Sequence, residues 1–271
     1  MKRDERAVLV ERRALSPDAQ LLFFESPTLS TSFLPGQFTM LRAQGEGLLL
    51  RRPYSICSAE PDKSRFSLLV KVVGQGTRAL AELPLGEDVY CLGPLGTFFQ
   101  PPAEGRQAII VAGGVGIAPF LCFCESLAQQ GMIAQVLLGG RRAHDLYLKD
   151  DFLRLGMKVA CATEDGSHGH RGVVTDLLPE LLDRFERAQL YSCGPSGMLR
   201  RVAEMAAQRD VPHQVSIERR MGCGMGCCLG CVVFTRRPEE AGAEGEYRRA
   251  CTEGPVFEAE EILWERDPYP L

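Results

Sequence analysis

The chain has 271 residues, 45% of them hydrophobic and 24% charged, a globular composition with enough length for two domains and a small third. Its net charge of −4 gives no basis for expecting nucleic acid or an anionic membrane as partner. The start, MKRDERAVLVERR, is charged throughout and lacks the apolar core of a secretion signal, so its 11 cysteines are expected in a reducing, cytoplasmic setting.

Residues 1–100 read as all-β. Short β-rich runs fall at Ala7–Arg13, Gln20–Glu25, Gln37–Arg42, Tyr54–Cys57, Phe66–Val73 and Asp88–Leu92. Proline and glycine turns separate them, and this spacing predicts a small antiparallel barrel, with a short helix over Thr77–Glu82. Arg52-Pro53-Tyr54-Ser55 offers a guanidinium for a phosphate, a ring to stack on and a hydroxyl for a ring nitrogen, a set that suits a flavin nucleotide. Taken alone, those four residues are more simply a surface arginine leading into a strand. Gly74-Gln75-Gly76-Thr77 ends a strand and opens a helix. It reads equally as an anion site or a plain glycine turn.

Residues 101–215 switch to β/α alternation. Gln107 to Cys124 is uncharged, but Gly113, Gly114, Gly116 and Pro119 interrupt it, so it reads as strand, loop and helix start rather than a membrane span. Strand Gln107–Ala112, loop Gly113-Gly114-Val-Gly116 and helix Ala118–Gln130 form a variant of the dinucleotide phosphate-binding arrangement. Further strands are predicted at Ile133–Leu138, Lys158–Thr163, Ala188–Ser192 and His213–Ile217, and helices near Lys149–Leu155, Val174–Phe185 and Pro195–Gln208. Together they predict an open parallel sheet with ligands at the C-terminal strand ends. Two such ends carry Glu164-Asp165 and Cys193-Gly194-Pro195. The acidic pair is suited to ribose hydroxyls but also describes a solvated turn, and Cys193 also describes a small buried residue. Arg141 and Arg142 follow the second strand of the sheet, where a 2′-phosphate would be met. The four histidines show no spacing with carboxylates that suggests a catalytic dyad.

Residues 216–271 hold the densest signal. Met221–Cys231, M-G-C-G-M-G-C-C-L-G-C, has too much glycine for a helix or strand and reads as a loop wrapped around something. Cys223, Cys228 and Cys231 give C-x4-C-x2-C, with Cys251 further on, the plant-type [2Fe–2S] spacing. Choosing Cys227 instead gives C-x3-C-x3-C, which matches no known cluster motif. Structural zinc usually takes two C-x2-C knuckles, and this region has only one. A disulfide framework needs an oxidising compartment, and the seven other cysteines are odd in number and dispersed. Arg236–Glu246 reads as an exposed hairpin tip, Tyr247–Cys251 as its return, and Val256–Trp264 as a final strand.

The order flavin barrel, nucleotide domain and [2Fe–2S] loop resembles the ferredoxin–NADP reductase superfamily. More closely, the chain resembles the electron-transfer subunits of type B dihydroorotate dehydrogenase. The matching stretches are R-P-Y-S (52–55), G-x-G-T (74–77), A-G-G-V-G-I-A-P (112–119), T-E-D-G-S-x-G-x-x-G-x-V-T-D (163–176), C-G-P-x-x-M-L (193–199), S-I-E-x-x-M-x-C-G-x-G-x-C-x-G-C (216–231) and Y-x-x-x-C-x-x-G-P-V-F (247–257). They cover nearly the whole chain.

The resemblance implies FAD held by Arg52, Pro53, Tyr54, Ser55, Leu69, Val70, Lys71, Gly76 and Thr77. It implies NAD+ docked at Gly113, Gly114, Gly116, Glu164, Asp165, Cys193, Gly194 and Pro195, and a [2Fe–2S] cluster on Cys223, Cys228, Cys231 and Cys251. Electrons would come from a partner subunit that oxidises dihydroorotate on FMN, in a heterotetramer of two of each, serving pyrimidine biosynthesis. No acid or base for dihydroorotate is identifiable on this chain. Two features depart from the family, a longer polar stretch between Cys231 and Cys251 and a thiol at Cys227. Other readings are a small flavin/[2Fe–2S] subunit of a ferredoxin:NADP or sulfide oxidoreductase, and a structural zinc protein.

Overall fold

The structure, a computed structural model, describes residues 2–42, 48–236 and 245–266. The first strands are β1 (Arg3–Ser16), β2 (Ala19–Glu25), β3 (Phe38–Arg42), β4 (Arg52–Glu60), β5 (Arg65–Lys71) and β6 (Asp88–Leu95). They close into an antiparallel barrel in the order β1-β2-β5-β4-β3-β6. Alternation along each strand puts one face inside. Leu22, Phe24, Phe66, Leu68 and Val70 fill the interior. The short helices α1 (Pro27–Ser30) and α2 (Gln75–Ala81) sit on the connections.

The middle of the chain alternates strand and helix: β7 (Gln107–Gly113), α3 (Ala118–Gln129), β8 (Gln135–Gly140), α4 (Lys149–Arg154), β9 (Lys158–Thr163), β10 (His170–Arg171), α5 (Leu178–Arg184), β11 (Ala188–Cys193), α6 (Ser196–Gln208) and β12 (His213–Ser216). Pro119 stands in the first turn of α3, where its missing N–H leaves no hydrogen bond unmade. The helix expected over Val174–Phe185 begins as a 3-10 turn, Val174–Leu177, and becomes α-helical at Leu178.

The last part contributes β13 (Val232–Thr235), β14 (Glu246–Arg249) and β15 (Val256–Glu258). β13 and β14 form a two-stranded antiparallel sheet. The expected tip at Arg236–Glu246 falls mostly on residues 237–244, which lie outside the described residues. Two expectations are corrected here. The final strand stops at Glu258 because a 3-10 turn, Ala259–Glu261, folds the chain back, and Trp264 Nε1 donates to Ala259 O at 3.1 Å. The sheet is also not purely parallel. Its order is β10-β9-β8-β7-β11-β12-β15, and β15 runs antiparallel to β12 through Gln214–Glu258, Val215–Phe257 and Ser216–Val256.

The parts share their cores. One apolar cluster joins Leu21, Phe23 and Leu69 of the barrel to Phe120 and Phe123 of α3 and to Val256. Another joins Phe38, Met40 and Leu95 of the barrel to Cys231, Val233 and Cys251. Polar clamps add to this: Arg13 makes a two-bond ion pair with Asp151, 2.9 Å each, and Lys71 Nζ meets Asp145 Oδ1 at 3.2 Å. Among the described residues no helix is long and apolar enough to cross a membrane.

Candidate flavin, nucleotide and iron–sulfur sites

A cavity of about 250 Å³ opens where the three parts meet. The barrel lines it with Pro53, Tyr54, Ser55, Leu69 and Lys71, the glycine loop with Val115 and Ala118, and the segment before the cluster loop with Ile217, Glu218 and Arg219. Val70 is the exception among the predicted flavin residues. Its side chain faces the barrel interior while its neighbours Leu69 and Lys71 face the cavity, as strand alternation requires. Only the backbone of Val70 is available to a ligand. Tyr54 is buried, and its hydroxyl finds no hydrogen-bond partner in the protein. A buried hydroxyl without a partner is uncommon, and this one is sealed from solvent where the ring packs into the barrel's apolar cluster. Lys71 is already engaged by Asp145 and, at 3.6 Å, by Asp18.

The cleft continues over Gly74–Thr77. Arg52 lies across Gly76 so closely that a β-carbon there would sit 2.0 Å from Nε and 2.2 Å from Cζ. Arg52 donates to Leu50 O at 2.9 Å and pairs with no carboxylate among the described residues. Thr77 turns its hydroxyl to the backbone, accepting from the N–H groups of Val73 (2.9 Å) and Gly74 (3.0 Å). It fixes the loop. A guanidinium laid over glycine is a cradle suited to the phosphates of a dinucleotide.

The predicted nucleotide residues divide. Gly113, Gly114, Gly116, Cys193, Gly194 and Pro195 come together at the ends of the adjacent strands β7 and β11, where Ala112 faces Cys193. A β-carbon on Gly116 would lie 2.4 Å from Cys193 O, and one on Gly113 2.8 Å from Pro195 Cδ, so glycine lets the two loops touch. Glu164 and Asp165 stand at the exposed end of β9, separated from β7 by β8. Asp165 is occupied locally, accepting from Ser167 N (2.9 Å) and Oγ (2.6 Å).

Sequence reasoning missed Glu218. It faces Cys193, whose Sγ lies 3.9 Å from Oε1, and both stand where the glycine loops meet the cavity. The surface of Glu218 opens to the cleft, yet the protein packed around it matches an interior site. That surrounding density decides its proton affinity: burial holds its carboxyl above the usual range, with Cys193 acting the other way. Burial, and then Glu218, push the Cys193 thiol up. The S-I-E stretch at 216–218 contains Glu218, but only the fold brings it to Cys193, 25 positions away.

The cluster loop is shaped by Gly224 (φ +70°), Gly226 (φ +88°) and Leu229 (φ +55°). Gly224 is pressed onto the barrel, where a β-carbon would meet Met40 Cγ at 2.6 Å. Met225 N donates to Cys223 Sγ at 3.4 Å. Partial burial works against ionising Cys223, but N–H donation from Met225 and Cys228 outweighs it and brings the thiol down to about 6. Burial, and then Cys231, push Cys251 up to about 12. Cys231 and Cys251 share one buried apolar cluster, while Cys223 is half-buried and Cys228 exposed. Among the described residues no three His, Cys, Asp or Glu side chains gather to hold one ion. Four thiols on the loop and its return suit a pair of irons instead. Cys227 and Cys228 are both exposed, but Cys228 Sγ points back into the loop, within 3.5 Å of a β-carbon built at Gly222 and 3.6 Å of one at Gly230.

A flavin cleft, a glycine-loop sheet and a four-thiol loop sharing one junction define a flavin- and pyridine-nucleotide-dependent oxidoreductase with an iron–sulfur module. Comparison with known proteins agrees part by part. Residues 6–99 match the oxidoreductase FAD-binding domain, 110–204 the oxidoreductase NAD-binding domain, and 218–263 the iron–sulfur cluster binding domain of dihydroorotate dehydrogenase B. The electron transfer subunit of dihydroorotate dehydrogenase B (NAD+) from Desulforamulus reducens is 36% identical over 252 residues, 93% of this chain and 95% of that one. The same subunit from Shouchella clausii is 36% identical over 97% of this chain and 99% of its own. The chain belongs to the family of dihydroorotate dehydrogenase B electron transfer subunits. Among solved structures, a chain of an NADH-dependent reduced ferredoxin–NADP oxidoreductase superposes with a TM-score of 0.83 at 29% identity, covering 96% of this chain and 90% of that one. A ferredoxin reductase of carbazole 1,9a-dioxygenase shares the fold, with a TM-score of 0.67 at 23% identity over 78% of this chain and 67% of that one.

Proposed function

We propose that this chain passes electrons from an FMN-bearing, dihydroorotate-oxidising partner to NAD+, in pyrimidine biosynthesis, within a cytoplasmic heterotetramer of two of each subunit and without nucleic acid or membrane partners. The observation that carries it is the single cavity bounded by barrel, glycine loop and pre-cluster segment. On this reading the chain divides into a flavin barrel (1–100), a nucleotide domain (101–215) and a cluster domain (216–271).

Arg52 and the Gly74–Thr77 loop hold the phosphates of FAD. Pro53, Tyr54, Ser55, Leu69, the Val70 backbone and Lys71 surround its ring. Cys223, Cys228, Cys231 and Cys251 would hold a [2Fe–2S] cluster. When bound, the cluster supplies single-electron transfer and the flavin the exchange between single electrons and hydride. Gly113, Gly114 and Gly116 leave room for the NAD+ pyrophosphate, with Cys193, Gly194 and Pro195 opposite. Glu164 and Asp165 are within the same strand-end surface and are assigned to the far ribose. Cys193 and Glu218 stand beside the nicotinamide's point of entry, where burial raises the proton affinity of both.

The partner's docking face is assigned to the cluster loop and the adjoining hairpin, where Met225, Leu229 and Tyr247 are 51%, 61% and 61% exposed. Large apolar side chains clustered in the open mark interaction surfaces. The likeness to the ferredoxin–NADP oxidoreductase chain supports a second reading, a sister subunit with another electron source. Four cysteines and the Cys251-x-x-Gly-Pro-Val-Phe ending favour the first. Dihydroorotate-driven NADH formation by the complex, purified anaerobically with its native partner, tests it. A flavin and cluster spectrum that dihydroorotate cannot bleach would move the chain to the second reading.

A further inference from the structure

The outer half of the flavin cleft holds a second cation that no sequence motif assigned. A space of about 550 Å³ over the Gly74–Thr77 loop is lined by Arg52, Tyr54 and Arg220 together. Arg220 comes from the segment that leads into the cluster loop, three positions before Cys223. The neighbouring arginines are committed elsewhere. Arg51 is paired with Asp4 at 2.7 Å, and Arg219 is buried and bonded to the backbone oxygens of Val232 (3.3 Å) and Glu218 (2.9 Å). Arg52 and Arg220, by contrast, face the same space with no carboxylate partner among the described residues. Two guanidinium groups across one cleft repel each other unless an anion lies between them.

We propose that Arg220 grips the FAD pyrophosphate from the side opposite Arg52, so that the flavin ties the cluster-bearing segment to the barrel. The inference rests on placing FAD in this cleft, as in the proposed function. A diphosphate carries oxygens on both faces, and planar guanidinium groups bind such oxygens in pairs. Arg220 and Arg52 are then two halves of one clamp, and flavin occupancy bears directly on the order of the chain just ahead of the first cluster ligand.

The test titrates FAD and riboflavin into the deflavinated full-length protein, reading flavin fluorescence, for Arg220→Ala, Arg220→Lys and Arg52→Ala. Arg220→Ala is expected to weaken FAD at least tenfold while leaving riboflavin, which has no phosphate, unchanged. Arg220→Lys should recover part of the loss, and the cluster's visible bands should persist in both. If Arg52→Ala weakens FAD and Arg220→Ala does not, the clamp is refuted and the flavin site stands. If FAD and riboflavin weaken equally in Arg220→Ala, the side chain acts on the loop rather than on phosphate, and the clamp is refuted again. If neither arginine matters to FAD, the placement of the flavin falls as well.

Discussion

Gly76→Ala separates folding from flavin binding. Gly76 is the second residue of α2, and alanine there favours the helix by about 1 kcal/mol relative to glycine. The new methyl group would sit 2.0 Å from Arg52 Nε and 2.2 Å from Cζ, so the guanidinium must swing away. That movement costs the protein little, because the obstacle is the end of a long side chain. The loss falls on the phosphate contact instead. A hydrogen bond to a charged group is worth about 1.5–3 kcal/mol, a loss of roughly ten- to hundredfold in affinity. Gly197→Ala is the control, since it stands in α6 away from the flavin cleft and nothing lies within 4 Å of its β-carbon. Flavin fluorescence titration with chemical denaturation of the deflavinated protein measures both quantities. The expected outcome for Gly76→Ala is weak FAD binding with undiminished stability, and for Gly197→Ala no change in affinity. Normal FAD affinity in Gly76→Ala would refute the role given to Arg52; equal losses in both variants would refute the steric argument.

Other expectations follow from the cluster loop and the core. Cys223→Ser, Cys228→Ser, Cys231→Ser and Cys251→Ser should each abolish the [2Fe–2S] spectrum while Cys227→Ser keeps it; the opposite result at 227 and 228 would exchange those two assignments. His213 is buried against Ser192 at 2.7 Å, and burial depresses its pKa to about 3. Because the folded value lies below the unfolded one, its contribution is complete above about pH 6.5 and is lost as pH falls toward 3. Denaturation at pH 7 and pH 5 should show the parent losing up to about 2 kcal/mol more than His213→Gln, and parallel losses would contradict the burial argument. Leu229 holds φ +55°, a conformation that costs a non-glycine residue about 1–2 kcal/mol. Leu229→Asn should therefore leave stability equal or higher yet weaken capture of the FMN subunit about tenfold by surface plasmon resonance, since an exposed leucine buried on docking contributes about 1.5–3 kcal/mol.

The parts legible in the sequence are those written locally. The C-x4-C-x2-C spacing, the glycine loop after an apolar strand and the switch from β runs to β/α alternation each lie within a short window, and the last two reappear in the structure. What was not legible depends on chain segments far apart in sequence. Glu218 reads as an ordinary carboxylate until β11 and β12 pair and bring Cys193 beside it. Val70 and Lys71 look alike as flavin contacts until the register of β5 turns one inward. Arg219 and Arg220 are adjacent and identical, yet one is bonded to backbone and the other faces the cleft. The end of β15 was missed because Val256-Phe257 and Ile262–Trp264 are strand-like on either side of Glu258–Glu261, and the hydrogen bond from Trp264 to Ala259 that turns the chain leaves no periodic trace.

β15 has a consequence for how the molecule is made. β12 without it would be a sheet edge with free N–H and C=O groups, a template for pairing with another chain. The strand that covers this edge follows Cys251 by only five positions, and Thr97 of the barrel clamps it through bonds to Val256 O and N at 2.9 and 3.0 Å. During synthesis, all four cysteines proposed as ligands therefore leave the ribosome before the edge can be covered. Iron acquisition and protection against self-association fall in the same interval. A chain that stalls or is clipped between Cys231 and Val256 loses a ligand or its edge cover, and it becomes prone to aggregate rather than persisting as a soluble flavoprotein.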